Sequence, residues 1–233
     1  MKTIGFIGGL SWESTADYYK YVNEYVKCEL GGLHSAKCVL HSFDFQEIVD
    51  LQKLGEWELA TAKMIEAAQN LEKAGADLIV ICTNTMHLMA EEVEKAISIP
   101  LIHIADAVAS SIKKANMTRV GLLGTAFTME KSFYKDRLAT HGIECIIPCE
   151  IGRQDAHEII FSELCLGDIR PESKIRYQQL INQLSENGAE GVILGCTEIP
   201  LLIKQGDSSL PVFDSTKLHA EAAVTFALER VLV

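Results

Sequence analysis

The chain contains no cluster of five lysines and arginines, no C-x-x-C pair and no G-x-G-x-x-G turn, and no apolar run approaches the ~18 residues of a membrane span. Each absence removes a class of function. With 21 Lys plus Arg against 32 Asp plus Glu, the net charge of −11 offers no binding energy to a phosphate backbone or an anionic membrane. We therefore expect neither a nucleic-acid nor a membrane partner. The turn at Gly5, Gly8 and Gly9 lacks the order of a dinucleotide fingerprint, and no acid follows at the expected distance. Cys82 and His87 are five positions apart, off the usual zinc pattern and without a second such motif, so no metal is expected. The seven cysteines are odd in number and spread over 233 residues, which fits free thiols in a reducing cytoplasm. The opening MKTIGFIGGLSWES carries one Lys and reaches Trp12 and Glu13 without an A-x-A-like site; it reads as a buried first strand, not a signal peptide.

What is present suffices for a large core: 48% hydrophobic residues, 23% charged and a mean hydropathy of +0.14. Short β-rich apolar runs at 3–7, 36–41, 77–82, 101–104, 119–123, 143–147 and 191–195 alternate with helical patterns. The run from Trp57 to Lys73 has apolar residues at near-helical spacing and ends at Gly75, and Gln179 to Asn187 ends likewise at Gly188. Such alternation predicts an α/β fold with mostly parallel sheets flanked by helices.

The chain also repeats itself in four ordered blocks, 111 to 116 residues apart. TIGFIGG from Thr3 matches RVGLLGT from Arg119, and Tyr18-Tyr19 matches Phe133-Tyr134. LEKAGAD from Leu71 matches LSENGAE from Leu184, each running through a strand into Cys-Thr, at Cys82-Thr83 and Cys196-Thr197. IPLIH from Ile99 matches LPVFD from Leu210, each leading into an alanine-rich helix. The expectation is a duplication giving two similar, pseudo-symmetric domains: 1–98 plus 211–233, and 99–210, with an active site in the cleft between them. The alanine-rich blocks would each cross into the other half, making the first domain discontinuous.

Ligands of open parallel sheets bind beyond the carboxyl ends of the strands, where Cys82 and Cys196 fall. A cysteine at a helix N-terminus is expected to have its thiolate favoured below the ordinary value of about 8.5. One thiolate could take a proton from one face of a stereocentre while a thiol returned one to the other face, giving inversion without metal or Schiff base. Thr83, Asn84, Thr85 and Thr197 could cap the following helices or donate to a carboxylate. Gly8, Gly9 and Ser11, with Gly124 and Thr125 in the second half, are expected to form matching turns.

GGLSWEST with Tyr18-Tyr19, HSFDF at 41–45, GEW at 55–57, CTNTMH at 82–87, LLGTAFTME at 122–130, ELCLG at 163–167 and GCTEIPLLI at 195–203 closely resemble the aspartate/glutamate racemase family over nearly the whole chain. The resemblance implies a cofactor-independent amino-acid racemase, often a homodimer, with Cys82 and Cys196 as acid/base thiols. It implies substrate contacts at Thr83, Asn84, Thr85, Thr125 and Thr197, with Leu10 and Gln52 at the cleft mouth and Ser11 beside them. Leu10-Ser11 stands where relatives of glutamate racemase have Asp-Ser, which places the chain on the aspartate side. Where relatives grip a side-chain carboxylate with Arg and Lys, this chain offers Gln52 and no Lys between Glu158 and Arg170. The primary expectation is aspartate or glutamate. The alternatives are a broad-specificity racemase of neutral amino acids such as homoserine, or a non-catalytic amino-acid-binding protein on the same fold. A single-cysteine decarboxylase is disfavoured by the second cysteine, spacing argues against a metal or protease-like pairing of cysteine with His87, His103 or His219, and His87 reads first as a satisfied, partly buried residue.

Overall fold

A computed structural model describes residues 1–229. The chain divides into two compact units, Met1–His103 together with the chain from His219, and Ile104–Leu218. In the first unit, β1 (Ile4–Gly8) leads to α1 (Trp12–Leu30), β2 (Cys38–Ser42), α2 (Phe45–Leu54), α3 (Trp57–Lys73) and β3 (Leu78–Ile81). A 3-10 turn (Thr85–Met89) and α4 (Ala90–Lys95) follow. The second unit holds α5 (Ile104–Lys114), β4 (Arg119–Gly124), α6 (Ala126–Glu130), α7 (Ser132–Thr140), β5 (Glu144–Ile146), α8 (Glu150–Ser162) and α9 (Pro171–Glu186). It continues with β6 (Gly191–Gly195), α10 (Ile199–Leu202) and β7 (Val212–Asp214). Helix α11 (Ser215–Leu228) starts in the second unit and runs into the first.

Every strand pairing is parallel, in the orders β2-β1-β3 and β5-β4-β6-β7. Strands β1, β3 and β6 are buried along their whole length and β4 nearly so, as parallel strands covered on both faces must be. The expected strand at 101–104 is reduced to one bridge, Ile79 to Leu101, and α5 begins three residues later at Ile104.

The duplicated blocks have a physical basis. In GAD and GAE the glycine ends the preceding helix at φ 90° (Gly75) and 91° (Gly188), a conformation that costs little without a Cβ. The acid then accepts hydrogen bonds at the start of the unit's first strand. Asp77 Oδ2 takes Thr3 N–H at 2.6 Å, and Glu190 Oε2 takes the N–H groups of Thr118 and Arg119 at 2.7 and 3.0 Å. The two backbone N–H bonds hold the Glu190 carboxyl below its usual range.

The tyrosine block pairs differently from the expectation. Within this block the fully buried tyrosines are Tyr18 and Tyr134, which share the spacing of the first strand block, while Tyr19 is exposed. The first-strand turns also do not match. Unit one has three residues between β1 and α1, with Gly9 at φ 70° and Ser11 at φ 87°, whereas Thr125 alone joins β4 to α6 at an extended φ of −66°. The longer connection takes left-handed backbone at two of its three residues.

Each unit has its own core. In the second, Ile104, Val108 and Ile112 of α5 join β4, β6, Tyr134 and Tyr177. In the first, one cluster puts Leu10 and Met86 with Ile7, Ile48 and Met64. Another puts Ala220, Ala223, Val224 and Ala227 of α11 against Ile4, Phe6, Tyr18 and Cys82. The alanine-rich face of α11 lets the helix lie close to the sheet, and Ala227 C=O accepts Lys2 N–H at 3.0 Å.

Candidate active site

Cys82 follows β3 and Cys196 follows β6, equivalent strands each lying beside the first strand of its sheet. The Cys82 backbone N–H still donates to Ile7 C=O at 2.9 Å, so the strand ladder ends at this residue. Beyond it the turn Cys82–Asn84 has no regular ladder and passes into a 3-10 turn, not an α-helix. Side chains secure it instead: Ser14 Oγ donates to Cys82 C=O at 2.7 Å, and His87 Nδ1 lies 2.8 Å from Thr83 C=O. Asn84 and Thr85 are buried, and Thr83 is half-buried.

In the second unit a carboxylate dominates. Cys196 Sγ donates to Glu198 Oε2 at 2.9 Å, and Thr197 Oγ1 donates to the same oxygen at 2.7 Å. Glu198 is only 5% exposed. The GCTE sequence held this residue in view, but neither repeat nor spacing distinguished it, because its counterpart after Cys82-Thr83 is Asn84. Only the side-chain geometry marks it as a partner of Cys196.

These surroundings reverse the expected titration of the thiols. Burial pushes Cys82 well above the ordinary thiol value; burial, then the Glu198 charge and the hydrogen bond to it, do the same for Cys196. The helix-dipole expectation fails because the following elements are a 3-10 turn and a four-residue helix, too short to offset complete desolvation. Both thiols rest protonated at neutral pH.

The remaining expected residues divide between the units. Ser11 caps α1, its Oγ accepting Ser14 N–H at 3.3 Å and donating to Glu13 Oε2 at 3.0 Å. Leu10 packs into the first core, as an apolar side chain beside Ile7 should. Gln52, near the end of α2, donates from Nε2 to Met86 Sδ at 3.2 Å, which brings its amide to the CTNTM turn. Thr125 caps α6, accepting Thr128 N–H at 3.3 Å. A residue that motif reasoning missed also supports this turn: His157 Nδ1, on α8, accepts Ala126 N–H at 3.2 Å between the rings of Phe127 and Phe161. Accepting that bond requires the neutral ring, and burial lowers the pKa of His157 accordingly.

Two parallel α/β units, each presenting a Cys-Thr pair at an equivalent strand end, define a duplicated racemase-type fold. Comparison with known proteins makes this specific: the Asp/Glu/hydantoin racemase family model matches residues 7–223, and the chain belongs to that family. A candidate Asp/Glu racemase from Yersinia pestis is 51% identical, with a TM-score of 0.93 over 98% of this chain and 100% of that one. An aspartate racemase homologue from Pyrococcus horikoshii OT3 is 38% identical, with a TM-score of 0.86 over 97% and 99%. The broad specificity amino-acid racemase RacX of Bacillus subtilis is 25% identical over 95% of this chain and 96% of its own. Among the described residues, no helix is long and apolar enough to cross a membrane.

Proposed function

We propose that the protein is a cofactor-independent amino-acid racemase in which Cys82 and Cys196 exchange a proton at Cα from opposite faces. The observation that carries this reading is the pair of buried free thiols at equivalent strand ends, in a chain of the racemase family. A protonated thiol already carries the proton it is to donate to the carbanion, a far stronger base than a thiolate. Removal of the substrate proton needs a thiolate, and Glu198 supplies the route on one side: Oε2 takes the Cys196 S–H proton along the 2.9 Å bond. The resulting thiolate takes the Cα proton, the electron pair stays on the planar carbanion, and the Cys82 S–H protonates the other face. Solvent exchange resets Glu198 and Cys82. Among the described residues no carboxylate hydrogen-bonds Cys82, so the two half-sites are chemically unequal.

The substrate class proposed first is aspartate or glutamate, the amino acids that name the family. A second reading, neutral amino acids, is favoured by one observation: the side chain brought to the CTNTM turn from α2 is the neutral amide of Gln52, where a side-chain carboxylate would want a cation. The test is α-proton exchange and inversion in D2O, followed by NMR and chiral analysis, for both enantiomers of aspartate, glutamate, homoserine and other neutral amino acids without pyridoxal phosphate. Inversion of any of them supports the racemase reading and names its substrate; binding without exchange would replace it with an amino-acid-binding role.

Glu198→Gln is expected to lower kcat/KM at pH 7 in both directions equally, since enantiomers have equal free energy. Activity should recover in part as the pH is raised, because loss of the Glu198 charge removes one of the causes that hold the Cys196 thiol up, while burial, the larger cause, remains. An unchanged rate at pH 7 would remove Glu198 from the mechanism.

A further inference from the structure

Behind the Cys82 turn lies a group of buried histidines that the proposed chemistry does not use. His87, His103 and His219 are 2%, 6% and 0% exposed. The His87 ring centre lies 4.7 Å from that of His103 and 5.4 Å from that of His219. His103 is the last residue before the chain leaves the first unit, and His219 is the first on its return. Three elements that are distant in sequence therefore meet at the CTNTMH segment.

The hydrogen bonds fix the tautomers. Ile102 C=O lies 2.6 Å from His219 Nε2 and can only accept, so Nε2 carries the proton. In the neutral ring His219 Nδ1 is then an acceptor, and Tyr18 O–H donates to it at 2.7 Å. Thr83 C=O, at 2.8 Å, likewise requires His87 to carry its proton on Nδ1. Ser14 and His87 thus hold two successive carbonyls, those of Cys82 and Thr83, in a stretch without a backbone ladder.

We propose that His87 is the positioning residue of the Cys82–Thr85 turn, its Nδ1–H fixing the Thr83 carbonyl and its ring orientation being set by His103 and by the Tyr18–His219 pair. The catalytic meaning of this role rests on the racemase reading; the positioning itself does not. Burial and the two neighbouring imidazoles lower the His87 pKa well below the ordinary value, so the neutral, single-tautomer ring persists through the physiological range. The ionisable groups facing the ring are His103, next to the Leu101 bridge, and His219 on α11, with Tyr18 of α1 behind His219.

The experiment uses the full chain without substrate and reads the rate of iodoacetamide labelling at Cys82 and Cys196 by peptide mass spectrometry. His87→Leu keeps bulk but removes the donor. Cys82 labelling should rise about tenfold, the factor a hydrogen bond of ordinary net strength contributes to a local opening equilibrium, while Cys196 labelling stays at the wild-type rate. His87→Asn places an amide N–H where Nδ1–H was and should label near the wild-type rate; His87→Gln places it where Nε2 was and should label like the leucine variant. If the leucine variant does not fold, the asparagine and glutamine variants decide the matter alone. Equal Cys82 labelling in those two, an unchanged rate in all variants, or a parallel rise at Cys196 would each overturn the proposal. With an inverted substrate in hand, His87→Leu should lower kcat more than it changes KM, with rescue by His87→Asn. A wild type that racemises nothing would sink the proposed function and leave the labelling result to decide the positioning role.

Discussion

Cys82→Ala and Cys196→Ala are each expected to reduce racemisation of the inverted substrate by about 10²- to 10⁴-fold, the range that a positioned general acid or base contributes. The decline should be equal in both directions. The diagnostic lies in exchange without inversion. Removing Cys82 leaves Cys196 able to take a proton from one enantiomer and return solvent deuterium to the same face; removing Cys196 leaves the mirror-image activity. NMR of the α-proton in D2O should therefore show exchange confined to one enantiomer in one variant and to its antipode in the other. Retained inversion in either single variant would end the two-thiol mechanism. So would loss of exchange from both enantiomers in both variants, provided that the variants fold.

Gly9→Ala is expected to be the most costly single-methyl change in the chain. Gly9 has φ +70°, and a Cβ built there would lie 2.2 Å from Phe43 C=O and 2.4 Å from Phe43 N, both backbone atoms that cannot rotate away. Phe43 N–H is itself bonded to Gly8 C=O at 3.0 Å, so relief by moving residue 43 would break the junction after β2. Left-handed strain and overpacking each cost about 1–3 kcal/mol, which together lower the melting temperature by roughly 4–24 °C for a protein of this size. A thermal melt followed by circular dichroism reads the effect directly. A shift under about 2 °C would show that the GGLS loop relaxes more freely than its contacts imply. The equivalent residue in the second half is Thr125, whose extended backbone accepts a side chain; the steric demand belongs to the first unit alone.

The positions of the strands were legible in the sequence because fully buried parallel strands are runs of apolar β-branched residues, as LIVI and GVILG show. The duplication was legible for a second reason: its punctuation is chemical. Glycine at positive φ followed by Ala and an acid that binds the next strand's N–H groups is a local device, and it recurs as GAD and GAE. The candidate cysteines stood out because the repeat placed them at equivalent strand ends. The thiol titration was misjudged from the same residues. A helix dipole can be inferred from a motif, whereas the depth of burial that outweighs it depends on every segment covering the strand end.

Glu198 and the histidine cluster mark the limit more sharply. Glu198 is two residues from Cys196, yet its role depends on the rotamer that turns its carboxylate back onto Sγ. His87, His103 and His219 are separated by up to 132 positions and share no pattern, so nothing local announces that their rings touch. The sequence by itself determined the parallel α/β architecture, the internal repeat and the pair of cysteines, because each is written in residues close together along the chain. The tertiary structure alone decided that these thiols are protonated, which of them has a carboxylate at hand, and what holds the Cys82 turn. Those properties come from desolvation and from side chains converging out of distant segments.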